Sequence, residues 1–147
     1  MSVAIERMDH VGIVVDDLAA ATEFFVELGL ELEGEMSMAE DPAVDRLLGL
    51  EGVRTDFAFV RTPDGQGLEL IKFHNPPSEG GDPAAAANAP GLRHITFAVD
   101  DIDAAVARLR DRGAELVGEV VRYGDTYTLC YVRGPEGIIV ELAEKVR

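Results

Sequence analysis

Hydrophobic and polar residues alternate in two short segments of the chain, "HVGIVV" from His10 and "HITFAV" from His94. Each segment is followed by two aspartates and then by apolar residues spaced as on one face of a helix. Alternation is typical of a half-buried β-strand, and an aspartate before a helical pattern is a favoured N-cap. The pattern therefore predicts a strand followed by a helix at both places.

The two predicted helices run from about Leu18 to Leu28 and from Ile102 to Arg112, and a glycine that favours helix termination follows each apolar pattern, at Gly29 and Gly113. Their apolar stripes are Leu18, Ala21, Phe25 and Leu28 in the first helix and Ile102, Ala105 and Leu109 in the second. Short β-rich segments follow, and the turn sequences "TPDG" and "GPEG" precede the last strand of each half. The pattern therefore predicts the element order βαβββ in each half of the chain.

The two halves are copies of one another. The strand and helix segments recur at an offset of 84 residues, whereas the hairpins "RTPDGQGLEL" from Arg61 and "RGPEGIIVEL" from Arg133 recur at an offset of 72. The first copy therefore carries 12 extra residues, which fall between Gly34 and Ala58 and predict a short helix and loop.

The segment between the copies is rich in proline, glycine and alanine and shows no strand period, which is typical of a linker. We therefore predict a single α+β domain made of two tandem βαβββ modules. Module 1 spans residues 6–74, the linker spans residues 75–91, and module 2 spans residues 92–147.

One histidine and one glutamate occupy equivalent strand positions in each module. Because side chains alternate along a strand, His10 and His94 share a face with small residues, while Glu69 and Glu141 interrupt apolar final strands. A carboxylate that faces an interior requires a cation or a strong donor. Two imidazoles and two carboxylates form an N2O2 set that suits Zn, Ni, Co, Mn or Fe. The alternative is that the histidines are satisfied strand residues and the glutamates face solvent.

Charge and composition narrow the classes of function. The 147 residues contain 13 Lys and Arg against 28 Asp and Glu, a net charge of -15, which disfavours nucleic acid or an anionic membrane as a partner. The start "MSVAIERMDH" has no apolar core of a signal peptide, and no apolar run approaches the roughly 18 residues of a membrane helix. We expect a cytoplasmic protein in which the single Cys130 is a buried filler.

The duplicated βαβββ pattern with His10, Glu69, His94 and Glu141 resembles the vicinal oxygen chelate superfamily over nearly the whole chain. That superfamily includes glyoxalase I, methylmalonyl-CoA epimerase, extradiol dioxygenases, and fosfomycin and bleomycin resistance proteins. The resemblance implies an incomplete eight-stranded barrel around a metal-containing cavity, with these four residues as ligands of one divalent ion. It also implies a small-molecule carbonyl substrate and a homodimer. The cavity closes either within one chain or between modules of two chains.

The number of ligands bears on the reaction that the resemblance implies. Family dioxygenases use two histidines and one carboxylate, whereas a complete His-Glu-His-Glu set is similar to that of glyoxalase I. The resemblance therefore implies a metal-dependent isomerase, epimerase or lyase in which Glu141 or Glu69 takes a proton next to a metal-bound carbonyl. The alternatives are a metal-free small-molecule binding protein of the antibiotic resistance type and an iron-dependent extradiol dioxygenase.

Four further residues are candidates for substrate contact. Arg54 and Asp56 lie in the region of the 12 extra residues, where loops on a rigid scaffold often select substrates. Tyr123 and Tyr127 lie just before or on a strand of module 2, where a phenol could hydrogen-bond a substrate oxygen. The alternatives are solvated loop charges for the first two and core packing or surface exposure for the tyrosines.

Overall fold

A computed structural model describes residues 3–147, and the chain forms two compact units that divide between Glu79 and Gly80. The division lies inside the predicted linker. Each unit contains one mixed sheet and at least one helix, so the predicted α+β class is confirmed. None of the helices within residues 3–147 is long and apolar enough to cross a bilayer.

The N-terminal unit is a four-stranded sheet with two helices. Its elements are β1 His10–Val14, α1 Leu18–Leu28, β2 Glu31–Ala39, α2 Pro42–Leu48, β3 Arg54–Arg61 and β4 Gly67–Asn75. The strand order is β1-β4-β3-β2, in which β1 is parallel to β4 and the other pairs are antiparallel. The short helix α2 lies among the extra residues of the first copy, as the repeat offset predicts.

The C-terminal unit repeats this arrangement. Its elements are β5 His94–Ala98, α3 Ile102–Arg110, β6 Glu115–Leu116, β7 Val121–Tyr123, β8 Tyr127–Arg133 and β9 Ile139–Lys145. The order is β5-β9-β8-β6, and β7 also pairs with β8. Since β6 and β7 pair with opposite ends of β8, they together take the place of one strand. The two units thus supply the eight strand positions that were expected.

The two long helices end differently from one another. Helix α1 ends at Gly29 as predicted, where a φ of 124° turns the chain so that the N–H of Leu30 bonds the carbonyl of Phe25 at 2.9 Å. Helix α3 ends at Arg110, two residues before the predicted end. The N–H groups of Arg112 and Gly113 each bond a carbonyl three residues earlier, so the last turn has tightened to the 3-10 form.

Each helix covers one face of its sheet and leaves the other face to the candidate site. In the N-terminal unit α1 contacts β3 and β4, and the buried apolar residues of these three elements are Ala21, Phe24, Phe25, Ala58, Val60, Leu68 and Leu70. In the C-terminal unit α3 contacts β8 and β9, with Ile102, Val106, Leu109, Cys130, Val132, Val140 and Leu142 buried. Because the side chains alternate, the glutamates of β4 and β9 point away from these cores.

The repeated hairpin has a structural explanation in both units. Arg61 Nη1 donates to the carbonyl of Gly65 at 2.7 Å, and Arg133 Nη1 donates to the carbonyl of Gly137 at 3.3 Å. In each case the arginine bonds the turn glycine four residues later. The arginine, the turn and the final strand therefore form one local unit that sets the position of the glutamate on that strand.

Candidate metal and active site

The first histidine and glutamate pair lies on neighbouring strands of the N-terminal unit. His10 opens β1 opposite Gly67 of β4, and Gly12 is the register partner of Glu69. Both side chains lie on the face away from α1, and His10 Nε2 is 3.1 Å from Glu69 Oε2. The structure therefore brings these two candidate residues together.

Asp9 holds the other side of the His10 ring. Asp9 Oδ2 is 2.8 Å from His10 Nδ1, and Arg7 donates to Asp9 Oδ1 at 2.9 Å. The hydrogen bond with Asp9 raises the pKa of His10, the charge of Glu69 adds to this effect, and partial burial opposes it. A neutral His10 that donates its Nδ1 proton to Asp9 keeps its lone pair on Nε2, which faces Glu69. Metal-bound histidines are commonly held by a carboxylate in this way.

The second pair occupies the same register in the C-terminal unit. His94 opens β5, and Thr96 is the register partner of Glu141 on β9. His94 Nε2 lies 3.6 Å from Glu141 Oε1, which is beyond hydrogen-bonding distance. Thr96 Oγ1 donates to the same oxygen at 2.8 Å.

Tyr131 is a neighbour of the second pair that the sequence patterns did not identify. It is opposite Glu141 on β8, and its ring centroid is 4.9 Å from that of His94. The available signal was the alternation of Tyr127, Leu129 and Tyr131 on one face of β8. That alternation does not reveal which residue of β9 lies opposite.

The donor atoms fit a divalent metal of the predicted kind. Each unit supplies one imidazole nitrogen and one carboxylate, and Glu69 and Glu141 are only 20% and 18% exposed. Over residues 3–147, no group of three or more His, Cys, Asp or Glu side chains could hold a metal ion. Each unit thus brings together one histidine and one glutamate of the four candidate ligands.

A cleft of about 480 Å³ adjoins the first pair within the N-terminal unit. This volume is in the range of small-molecule sites. Its lining includes His10, Glu69, Phe59, Gln66, Arg7 and Arg61. Arg7 is paired with Asp9, and Arg61 Nε lies 2.8 Å from Glu33 Oε1, so both guanidinium groups already have carboxylate partners.

Phe57 and Phe59 form an apolar surface on the same face as Glu69. Phe59 is the register partner of Glu69 on β3, and the two stacked rings have centroids 6.1 Å apart. Sequence patterns placed both residues on a strand but did not relate them to the candidate ligands. Phe59 lines the cleft and gives it an apolar surface next to the polar pair.

Arg54 and Asp56 are not brought to the first pair. Both lie in β3 and not in a loop, and Asp56 is on the face of Ala58, opposite to that of Phe59 and Glu69. Asp56 instead accepts hydrogen bonds from Ser37 Oγ and from His74 Nε2, which lower its pKa. Arg54 is exposed at the end of the sheet far from His10.

Tyr123 and Tyr127 lie on the same sheet face as Glu141. They are register partners of one another across β7 and β8, and Tyr127 is four residues along β8 from Tyr131. Tyr123 is 71% exposed and lies mostly in solvent, whereas Tyr127 is 39% exposed. Both therefore lie on the expected face but at the far end of the sheet.

Comparisons with known proteins agree with this architecture. The chain is 31% identical over 145 residues to the uncharacterized protein YaeR of Escherichia coli (strain K12), covering 96% of this chain and 98% of that protein. It is 27% identical over 147 residues to an ethylmalonyl-CoA/methylmalonyl-CoA epimerase of Cereibacter sphaeroides, covering 95% and 98%. The crystal structure of a glyoxalase family protein from Bacillus cereus is 45% identical, with a TM-score of 0.94 and coverage of 98% and 97%.

The family model of the Glyoxalase/Bleomycin resistance protein/Dioxygenase superfamily matches residues 7–142. That range includes both histidines and both glutamates of the two pairs. The chain belongs to the Glyoxalase/Bleomycin resistance protein/Dioxygenase superfamily.

Proposed function

We propose that this protein is a divalent-metal-dependent enzyme of the glyoxalase type, an isomerase, epimerase or lyase that acts on a small carbonyl compound. The observation that carries the proposal is the equivalence of the pairs His10–Glu69 and His94–Glu141, which have the same strand register in two sheets. All four residues are proposed as ligands of one Zn, Ni, Co, Mn or Fe ion. The likeness to the Cereibacter sphaeroides epimerase supports this class of reaction.

A bound divalent ion would polarise a substrate carbonyl and acidify the adjacent C–H bond. The residues of this chain provide the remaining parts of the proposed reaction. Glu69 or Glu141 takes the proton, the electron pair of the C–H bond moves toward the carbonyl, and the carboxyl group returns the proton to carbon. Asp9 orients the His10 ring, and the apolar Phe59 side chain keeps water from one side of the cleft.

Metal content is the first test of this proposal. The purified protein, stripped with chelator and reloaded separately with each of the five metals, should retain about one ion per pair of modules, measured by elemental mass spectrometry. The double variant Glu69→Gln, Glu141→Gln keeps the shape of the strands and should retain much less. A wild-type protein that holds none of the ions stoichiometrically contradicts the proposal.

The reaction is tested by proton exchange with solvent. Thiol hemithioacetals of 2-oxoaldehydes and branched acyl-CoA thioesters should gain deuterium next to the carbonyl in D2O when metal-loaded protein is present. Chelator should abolish the exchange. Oxygen uptake with a catechol and ferrous iron would instead favour the dioxygenase, and tight small-molecule binding that is insensitive to chelator would favour the metal-free binding protein.

A homodimer is part of the same proposal. Strand β2 is an edge of the N-terminal sheet, and it carries the exposed apolar side chains Leu32 and Met36. An exposed apolar edge favours association with a second chain. Light scattering after size exclusion should give twice the monomer mass of 15.8 kDa; a monomer at micromolar concentration contradicts the homodimer.

A further inference from the structure

The two modules differ at the strand position opposite each glutamate. Gly12 is the register partner of Glu69, and Thr96, 84 residues later, is the register partner of Glu141. Thr96 Oγ1 donates to Glu141 Oε1 at 2.8 Å. Glycine has no side chain that could do the same for Glu69.

The two carboxylates are therefore restrained by different partners. Within residues 3–147, the polar contact of the Glu69 carboxylate is with His10 Nε2 at 3.1 Å. The Glu141 carboxylate accepts a hydrogen bond from the Thr96 hydroxyl at 2.8 Å, and His94 Nε2 is farther away, at 3.6 Å. A glutamate side chain has three rotatable bonds, and a short bond from a β-branched neighbour with a stiff χ1 removes much of that freedom.

The bond from Thr96 leaves Glu141 able to bind a further partner. A carboxylate has about four lone-pair directions on its two oxygens, and a single hydroxyl donor occupies one of them. Outer hydrogen bonds of this kind orient metal ligands and increase affinity for the ion. Thr96 is exposed and is not part of the core. Its hydroxyl therefore serves to orient Glu141, and its side chain does not contribute to core packing.

We propose that Thr96 is a positioning residue that holds Glu141 as the fixed carboxylate of the metal centre. The inference rests on the proposed function, because it assumes that Glu141 is a metal ligand. Glu69, opposite a glycine, has no such hydroxyl at the neighbouring strand position, and its contact is with His10. The duplicated modules have therefore diverged at one strand position, where a threonine holds Glu141 and a glycine stands beside Glu69.

Cobalt binding tests this inference without knowledge of the substrate. Wild type and variants are stripped of metal and titrated with Co²⁺ by calorimetry, and the visible absorption bands of the bound ion are recorded. Thr96→Val retains the shape but removes the hydroxyl, so it should weaken Co²⁺ affinity by about tenfold and shift the absorption bands. Thr96→Ser restores the hydroxyl and should restore both the affinity and the spectrum.

Gly12→Ala is the matched control in the other module. Its added Cβ would lie 3.7 Å from Ile71 Cδ1, an ordinary contact, and it supplies no donor. Affinity and spectrum should be unchanged. Thr96→Ala also removes the hydroxyl but leaves a smaller side chain. If circular dichroism shows that one of the two variants folds poorly, the other provides the measurement.

Four outcomes overturn the inference. The inference is wrong if the variants without the hydroxyl bind Co²⁺ as tightly as wild type. It is also wrong if Thr96→Ser does not restore binding. An equal loss in Gly12→Ala overturns it as well, since crowding would then explain the effect. These three results leave the proposed function intact, whereas a wild-type protein that binds no Co²⁺ overturns the proposed function and this inference together.

Discussion

Asp9 Oδ2 lies 2.8 Å from Nδ1 of His10, so the ring nitrogen that does not face Glu69 is held by a neighbouring carboxylate. The hydrogen bond is the main cause of the raised pKa of His10. Replacement of Asp9 by Asn should therefore lower the pKa of His10 in the metal-free protein, measured from its imidazole proton shifts by NMR. It should also weaken metal affinity by about tenfold, because the ring loses its orienting partner.

Glu69 itself provides the control for this effect. Glu69→Gln removes a charge that also raises the pKa of His10, but it leaves the Asp9 bond in place. The pKa of His10 should therefore fall less in Glu69→Gln than in Asp9→Asn. The reverse order would show that the contact with Asp9 does not persist in solution.

The two glutamates should differ when each is replaced by glutamine. If Glu141 is the restrained carboxylate, Glu141→Gln should weaken Co²⁺ binding more than Glu69→Gln, and both should lose deuterium exchange into substrate. Calorimetry and exchange in D2O measure the two effects separately. Equal metal affinity in the two variants would contradict a difference in restraint, and full exchange by Glu141→Gln would remove that residue from the site.

Asp56 provides a pH-dependent contribution to stability outside the candidate site. Hydrogen bonds from Ser37 and His74 lower its pKa from 3.8, so the ionised form stabilises the folded state above pH 3.8. The melting temperature of wild type should exceed that of Asp56→Asn at neutral pH, and the difference should shrink as the pH falls below 3.8 through the folded pKa.

The same variant tests the assignment of faces in the N-terminal unit. Asp56 lies on the side of β3 that is opposite to Glu69, so Asp56→Asn should leave metal affinity unchanged. A large loss of affinity would show that Asp56 contributes to the centre. Calorimetric titration of both proteins with Co²⁺ makes the comparison.

Arg133 should contribute more to stability than its repeat partner Arg61. Its guanidinium donates to the carbonyls of Pro83, Ala85 and Gly137, and the residue is partly buried. Arg133→Ala should lower the free energy of unfolding by about 2 kcal/mol, since hydrogen bonds from a charged donor are strong and three carbonyls lose this donor together. Urea denaturation gives this value directly.

Arg61→Ala is the matched control for that measurement. Arg61 is exposed and pairs with Glu33 and with the carbonyl of Gly65. An exposed pair contributes about 0.5 kcal/mol. If Arg61→Ala lowers the free energy of unfolding as much as Arg133→Ala does, the bond to the turn glycine, which both arginines make, accounts for most of the effect.

Cys130 should react slowly with thiol reagents in the folded protein. Its side chain is 2% exposed, and burial raises the pKa of its thiol, so the reactive thiolate is scarce. Reaction with a coloured disulfide reagent at pH 8 should be slow in buffer and fast in denaturant. Rapid reaction in buffer would indicate that β8 opens locally.

Local patterns were sufficient for much of the fold. Alternation assigned His10 and His94 to the face away from the helices, and the repeat offset identified Glu69 and Glu141 as equivalent residues. The aspartate caps and Gly29 are local as well, which explains why the start of each helix and the end of α1 were predicted. These features depend on residues within a few positions of one another, so a periodicity of two or of 3.6 residues reveals them.

Contacts between strands were decided only by the tertiary structure. The register of β8, β9 and β5 places Tyr131 opposite Glu141 and brings Thr96 within bonding distance of it. The pairing of β3 with β4 places Asp56 on the face opposite to Glu69. Alternation tells which residues of a strand share a face, but it does not say which residue lies beside them on the next strand. That register is set by the packing of the whole sheet and by its bulges, which join residues far apart in the chain.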